Sequence, residues 1–596
     1  MSRRVALMKT KVPANGWPSY GLVEAAAELL AGRKLPVRVA GGKASAARLV
    51  QARKALERFG ELSELDSSVL GALYESLLER EDKSGSKQTY RRRSGIFYTP
   101  GHITEFLVKA ALDACLIPPQ GGGGPNAVPP LGGIKGGLLI DPACGCGAFL
   151  IAAFRELKKR FPNASAKTIA TEWIHGVDID PSAVHVARLS MFIEARLQRR
   201  HWPLLESSIR VGDSLREGIG SNRKYRIIVG NPPYRNVKRG IPDDLKEFLK
   251  ANYRTARGQW DLASPFVELA LEHLMEPGGA MGFILPNPVL LAENYQPVRE
   301  MILERGLVAY GPAGRAFPDP GVEASLIVVH AGGSPDGKVW VLDGGRKTGE
   351  VIRIRRVPVS MLQKLPFRVF SHLAEPALVE GISRGLESGK LIRLGELVRF
   401  TRGIECGKND ARVVAEKSRK RGAIPLIVGE SVRAYFARPT RSFRPTDPRS
   451  REGGIKDRSL WEGERQLLVR RVAQRPIAAV ASPASATLNT LYVVRGHAGG
   501  VIDEYGACAV LNSSAFGEIF RRLYAFDDRL FPYLRMSQLG QTPIPSGAFE
   551  DGKLAKWSRE LHDIGRECAG APRGAGAQEL LKKIDRRVGK MYGLRV

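Results

Sequence analysis

The sequence predicts an α/β protein: a doubly wound, mostly parallel sheet, preceded by an N-terminal helical region and followed by a second, α+β domain. Three observations predict it. Between Leu138 and His330, short runs that are apolar throughout alternate with stretches of helical periodicity, the pattern of strands covered on both faces by crossover helices. Before about residue 90 the periodicity is helical alone, and from 391 onward the apolar runs become short and β-like between scattered turns. The 596 residues, 43% of them hydrophobic, exceed what one core organises, so roughly two to four domains are expected.

Taken in order, the helical region spans 1–90. Its clearest element is "DSSVLGALYESLLER", where Leu70, Leu73, Tyr74 and Leu77 share one face behind an Asp66 or Ser67 N-cap. From Ile117 to Gly137 glycine and proline dominate, which marks a surface loop or insertion between a helix and a strand. Then come the strand "GLLIDPA", the helix "AFLIAAFRELKKR", the strand "WIHGVDID", the helix "SAVHVARLSMFIEARLQ" and the strands "SSIRVGD" and "RIIVGNPP". A helix through "SPFVELALEHLM" and the strands "AMGFILP" and "ASLIVVH" complete a domain set at 91–335. Residues 336–390 read as a connecting region, 391–550 as the second domain, and 551–596 as helices whose apolar face carries Leu581, Ile584, Val588 and Tyr592.

Charge narrows the partners. Lys and Arg exceed Asp and Glu by 91 to 61, a formal net charge of +30, which concentrates polyanions around the protein and points to nucleic acid. Basic residues cluster in "TYRRRSG", "YRNVKRG" and "LLVRRVAQRP". No uninterrupted apolar run reaches the ~18 residues of a membrane span, and the start lacks the apolar core of a signal peptide, so a soluble, cytoplasmic protein is expected. Six cysteines are too sparse for a disulfide framework and lack the paired spacing of a zinc site, so no metal is expected.

In sheets of this kind, ligands bind beyond the carboxyl ends of the strands, and the polar clusters lie there. The first strand ends in "DPACGCGAFL". Asp141 closes it, Gly145 and Gly147 let the backbone approach a ligand, and the following helix offers its N-terminal amides. A dinucleotide fingerprint would need a third glycine where Leu150 stands, and a P-loop would need a Lys-Ser/Thr pair after the glycines. The second strand places Asp178 and Asp180 at its tip, where a carboxylate can accept from both hydroxyls of a ribose. The third brings Asp213, able to accept from an exocyclic amine of adenine. Each acid alone also reads as a helix cap; together they outline an adenosine-containing ligand bearing few phosphates.

The fourth strand stops abruptly at Asn231-Pro232-Pro233-Tyr234. Asn231 can present a side-chain carbonyl and Pro232 a main-chain carbonyl to one NH2 group, while the proline rings hold the loop to one shape. An aromatic amine is a poor nucleophile because its lone pair is delocalised. Two acceptors on its N–H bonds favour the pyramidal geometry needed for group transfer. Tyr234 supplies a flat face on which a base can stack, worth roughly 1–3 kcal/mol.

Together with "GIFYTPGHI" at 95–103, these motifs in this order resemble the gamma-class, TaqI-type N6-adenine DNA methyltransferases of restriction-modification systems. Weaker likeness runs through "RGIECGKND", "TLNTLYVV", "VLNSSAF" and "SQLGQTPIP", similar to the target-recognition domain of that group. The resemblance implies a Rossmann-like methyltransferase sheet, S-adenosylmethionine as cofactor and double-stranded DNA as partner. A cognate restriction endonuclease or defence complex acting on the same site is a further implied partner. Thr99 would contact the carboxylate end of the cofactor, with Asp141, Ala143, Cys144 and Gly145 along its methionine moiety. Asp178 would hold the ribose and Asp213 the adenine amine, with Ser214 and Pro233 beside them. Asn231 and Pro232 would grip the target N6 of an adenine rotated out of the duplex, Tyr234 would stack on it, and Phe317 would supply the second aromatic face. Methyl transfer would be a direct displacement needing no catalytic Cys or His. The Gly/Pro insertion, and Cys406 where relatives often carry threonine, depart from the pattern.

Alternatives remain open. Similar loops serve N4 of cytosine in DNA, N2 of guanine in RNA and a glutamine amide in release factors, although the last enzymes are much shorter. A fused restriction-modification enzyme would need a nuclease cluster, and Asp66 with Glu81, Asp82 and Lys83 is the N-terminal candidate. A non-catalytic DNA-binding protein is a third reading.

Overall fold

The computed structural model describes residues 99–115, 137–218, 223–237, 240–314, 323–344, 350–406, 412–415, 423–443, 461, 463–497, 502–524 and 533–593, with 23, 25–27, 51–52 and 70–74. The chain divides into two compact units, Met1–Val359 and Ser360–Val596.

The first unit is organised by strands β1 (Leu139–Asp141), β2 (Ile174–Asp178), β3 (Ile209–Val211), β4 (Tyr225–Gly230), β5 (Met275–Pro286), β6 (Leu307–Pro312), β7 (Ala324–His330), β8 (Lys338–Asp343) and β9 (Ile352–Pro358). They form one sheet in the order β3-β2-β1-β4-β5-β7-β6-β8-β9. Pairing is parallel from β3 through β5, antiparallel where β7 inserts between β5 and β6, and parallel again between β6 and β8. Leu139 pairs with Ile174 on one side and with Ile227 on the other. The chain therefore winds outward through β2 and β3, then crosses β1 to resume at β4. That reversal leaves a crevice above the carboxyl ends of β1 and β4.

The helices follow from what covers this sheet. Helix α1 (Gly101–Cys115) lies on β4, β5 and β7. Its approach depends on Gly282, where a Cβ would stand 2.9 Å from the Leu107 carbonyl oxygen. Helices α2 (Ala148–Arg160) and α3 (Pro181–Glu194) pack together, burying Phe149, Leu150, Leu157, Val184 and Ala187. Each large aliphatic or aromatic side chain among them removed from water contributes about 1.5–3 kcal/mol, and the partly buried Arg155–Glu194 ion pair joins the same helices. Farther on, α4 (Ala263–Glu268) continues as a wider π turn over Leu269–Leu274, and α5 (Gln296–Arg305) precedes β6.

Residues 338–343 and 352–358, expected within a connecting region, form β8 and β9. The sequence "IRIRRVP" lacks an apolar run because β9 is the sheet's edge, where Ile352 and Ile354 stay exposed. The N-terminal residues that are described include a helical stretch at 70–74, with Leu70, Leu73 and Tyr74 buried. Asp66, Glu81, Asp82 and Lys83 lie outside the described residues, as do residues 116–136 of the Gly/Pro-rich segment.

The second unit carries a six-stranded sheet, ordered Val398–Arg402, Leu491–Gly496, Gln466–Arg470, Ala478–Ala481, Tyr435–Ala437 and Val432–Arg433. A four-stranded sheet of Val413–Ala415, Arg441–Phe443, Ile424–Ile427 and Ala486–Thr487 accompanies it. Helix Gly552–Glu567 packs on helix Glu504–Asn512 and on strand Tyr435–Ala437, so the C-terminal helices belong to this unit's core. The expected apolar face is seen in buried Ile584, Val588 and Tyr592, whose hydroxyl donates to the Pro543 carbonyl at 2.9 Å. No helix among the described residues is long and apolar enough to cross a membrane.

Candidate active site

The crevice at the sheet reversal is built by four strand ends, those of β1 to β4. Asp141 ends β1 and is 1% exposed; its Oδ1 accepts the Ala143 N–H at 3.0 Å. It has room only because its neighbour on β4 is Gly230, where a Cβ would come within 2.7 Å of that oxygen. The chain then turns through Gly145 and Gly147, both with left-handed φ (49° and 89°), into α2. A Cβ on Gly145 would meet nothing within 4 Å, so this backbone faces open space in the crevice. The loop is tied to the second strand end: Gly145 N–H donates to Asp178 Oδ2 at 2.9 Å, and Asp180 N–H donates to Asp178 Oδ1 at 2.9 Å.

Electrostatics follow from this burial. Desolvation pushes the Asp141 carboxyl well above the usual carboxylate range, and the charge at Asp178 adds to the rise. Burial likewise raises Asp178 to about 6, against the pull of the Asp180 and Gly145 N–H groups. Such a pair disfavours phosphates and favours a ligand that brings positive charge or hydroxyl donors. Burial, and then the charges at Asp178 and Asp141, drive the Cys144 thiol far up, which holds it protonated.

Of the residues expected around the cofactor, Thr99, Asp141, Ala143, Cys144 and Gly145 line one side of this crevice. Asp178, Asp213, Ser214 and Pro233 line the rest, and Asn231 joins them. Two of these groups have structural duties as well. Asp213 caps the short helix Ser214–Glu217, accepting from Leu215 N–H at 3.2 Å, with Arg216 Nε 3.4 Å from its Oδ2. Ser214 Oγ donates to the Pro142 carbonyl at 2.6 Å, which holds the first strand-end loop. Asp180 acts as the N-cap of α3, accepting from Ser182 N–H at 2.9 Å.

Thr99 and Asn231, 132 residues apart, meet directly: Asn231 Nδ2 donates to Thr99 Oγ1 at 3.1 Å. This contact fixes which end of the Asn231 amide faces the opposite way, namely its carbonyl oxygen. A hydroxyl that accepts can still donate its own proton, so Thr99 can serve the loop and a carboxylate together. Pro232 is buried and does not line the crevice. Tyr234 is half-buried outside the crevice wall, its ring against the edge of the core. Phe317 lies outside the described residues.

Other crevice residues escaped the sequence reading. Ile179 is 71% exposed between two acids that bind backbone, an aliphatic side chain standing at the rim like a cover for a flat ring. Leu262 and Phe266 line the wall although "SPFVELALEHLM" reads only as a core-facing helix. Tyr74 reaches in from the N-terminal helix, its hydroxyl 3.5 Å from Asp180 Oδ2. In sequence these side chains carry the same apolar periodicity as true core, so no local signal separates them; only the apolar Ile179 placed between Asp178 and Asp180 was a usable hint.

Residues 65–357 match the N-6 DNA methylase family, and residues 424–544 match the TaqI-like C-terminal specificity domain. The Type II methyltransferase M.VspI of Vibrio sp. (strain 343) is 23% identical over 346 residues, covering 58% of this chain and 72% of that protein. The Type I restriction enzyme MjaIX methylase subunit of Methanocaldococcus jannaschii is 27% identical over 252 residues, covering 41% of this chain and 37% of that protein. The chain thus spans little more than a third of that second relative. Among solved structures, the Type IIL restriction-modification enzyme MmeI in complex with DNA has a TM-score of 0.59 at 13% identity, over 99% of this chain and 90% of that one, a likeness of fold.

Proposed function

We propose that this chain, which belongs to the TaqI-like N6-adenine methyltransferases of restriction-modification systems, transfers the methyl group of S-adenosylmethionine to N6 of an adenine rotated out of duplex DNA. One observation carries the reading: Asn231 and Pro233 line the same crevice as the buried Asp141 and the half-buried Asp178, so an amine-gripping loop adjoins a cation-favouring pocket.

The residues present fit such a cofactor. Asp178 is the acceptor for its ribose hydroxyls and Asp213 for its adenine amine, beneath the exposed face of Ile179. Asp141 and the Ala143–Gly145 backbone flank the methionine portion, and the Thr99 hydroxyl is the donor for its carboxylate. S-adenosylmethionine supplies an electrophilic methyl group when bound there. The chain's own part is positional. Asn231 Oδ1 and the Pro232 carbonyl accept the two N–H bonds of the target amine, which keeps its lone pair directed at the reacting centre. Tyr234 stacks on the base. Rotating a nucleotide out of the duplex costs a few kcal/mol, which stacking of roughly 1–3 kcal/mol per aromatic face together with two hydrogen bonds offsets. The net charge of +30 holds the remaining duplex through its phosphates.

The test is to incubate the full chain with methyl-labelled S-adenosylmethionine and unmethylated duplex DNA, digest to nucleosides and identify the labelled one. The expected product is N6-methyl-2′-deoxyadenosine, lost in Asn231→Ala. Label confined to cytosine, or appearing only with RNA, would refute the assignment.

A further inference from the structure

Behind the target loop lies a second constellation that the transfer chemistry does not use. Residues 260–262 run antiparallel to residues 235–237, immediately after Tyr234. Val237 N–H donates to the Trp260 carbonyl at 3.1 Å, Leu262 N–H donates to the Arg235 carbonyl at 2.9 Å, and Asn236 bridges Asp261 between them. This strap has a polar lock at its centre. Asp261 is 4% exposed; its carboxylate receives the Tyr295 hydroxyl and the Ser264 hydroxyl at 3.5 Å, and its main-chain carbonyl accepts the Ser264 N–H at 3.1 Å. Tyr295 is itself buried and immediately precedes α5, so the lock ties the strap to a helix outside the crevice.

The lock reaches the target loop. The Tyr234 hydroxyl is buried, and the charge at Asp261 acts on it, adding to the rise that burial causes in its pKa. On the other side, Leu262 and Phe266, adjoining the lock in sequence, form part of the crevice wall. A buried carboxylate held by two hydroxyls is costly to assemble and would be unnecessary for a simple turn, since the two backbone bonds already close the strap. What the lock adds is rigidity beside the hydroxyl end of Tyr234, whose ring packs against the edge of the core.

We propose that Asp261, locked by Tyr295, is a positioning residue for the target base: it holds the 260–262 strap against the loop and thereby sets the angle at which Tyr234 meets the extruded adenine. This rests on Tyr234 receiving that base. Asp261 does not itself line the crevice; it acts through the loop.

The test uses the full chain in steady-state methylation of unmethylated duplex DNA, with cofactor affinity measured separately by calorimetry. Tyr295→Phe removes one hydroxyl without leaving a cavity, so it stands even where Asp261→Asn is poorly folded. Both variants are expected to lower kcat by roughly ten- to hundredfold while the Kd for S-adenosylmethionine stays within about twofold, since a misangled base spoils orientation alone. Combining Asp261→Asn with Tyr234→Phe should lose little more than the worse single variant, because both act on one end of one side chain. Three results would overturn the inference: a kcat within twofold of the parent in Tyr295→Phe, a parallel fall in cofactor affinity, or losses that multiply in the double variant. A parent protein that fails to methylate DNA at all would instead sink the functional reading itself.

Discussion

Replacing Asp178 by asparagine probes the crevice through its pH dependence. In the ligand-free protein burial raises this carboxyl to about 6. About ten in eleven molecules carry the charge at pH 7, and about one in eleven at pH 5. A ligand whose ribose hydroxyls both donate to Asp178 needs the ionised form, so its apparent Kd should weaken about tenfold between pH 7 and pH 5, equivalent to about 1.4 kcal/mol. The cofactor and its demethylated product share the ribose, so both should show this loss. Asparagine removes the charge and must choose which of the Gly145 and Asp180 N–H groups to accept. A charge-assisted hydrogen bond contributes about 1.5–3 kcal/mol, so Asp178→Asn should bind roughly ten- to hundredfold more weakly at pH 7, with a flatter profile below it. Stability runs the opposite way. The native carboxyl holds its proton more tightly than the unfolded one, so its stabilising contribution is present at low pH and is lost as pH rises from about 4 through about 6. The variant lacks that slope. Isothermal titration at pH 5, 6 and 7 reads the first effect, and thermal unfolding of the ligand-free chain at the same pH values reads the second. Parent affinity that is flat from pH 5 to 7, or a variant that keeps the parent's profile, would refute the assignment of Asp178 to the ribose.

Three further outcomes follow from the same geometry. Thr99→Ala should lower kcat about tenfold by releasing the Asn231 amide, and Thr99→Ser should restore it, as single-turnover rates would check. Gly176→Ala should lower the thermal midpoint more than Gly145→Ala, because its Cβ meets Leu150 Cδ1 at 2.7 Å and overpacking costs about 1–3 kcal/mol. Gly145→Ala, with a left-handed φ and open space, should instead weaken cofactor binding, so equal effects of the two on both readouts would contradict the loop's assigned place. Iodoacetamide at pH 8, followed by peptide mass spectrometry, should label exposed Cys568 long before Cys144, whose thiol burial and two carboxylates hold protonated; equal rates would overturn that electrostatic picture.

Much of the sheet could be read from local pattern. Strands covered on both faces must be apolar throughout, so "GLLIDPA" and "RIIVGNPP" announced β1 and β4 without any knowledge of their neighbours. Motif order along the chain likewise identified the strand ends, since each motif follows its strand directly. Where an element sits at an edge the same logic fails: β9 needs no buried face, and its arginine-rich alternation concealed it.

Partnership was what tertiary structure alone decided. Asp178, Asp180 and Asp213 look alike in sequence, each an acid between a strand and a helix, yet Asp180 caps α3, Asp213 caps a short helix while lining the crevice, and Asp178 takes two N–H groups from the loops beside it. Thr99 reaching Asn231, and Asp261 reaching the residues after Tyr234, depend on segments far apart in the chain arriving at one place. Periodicity records which face of an element avoids water, because that preference belongs to each residue. Which donor meets which acceptor belongs to the packed whole, and only the sheet's reversal between β1 and β4 brings these groups within reach of one another.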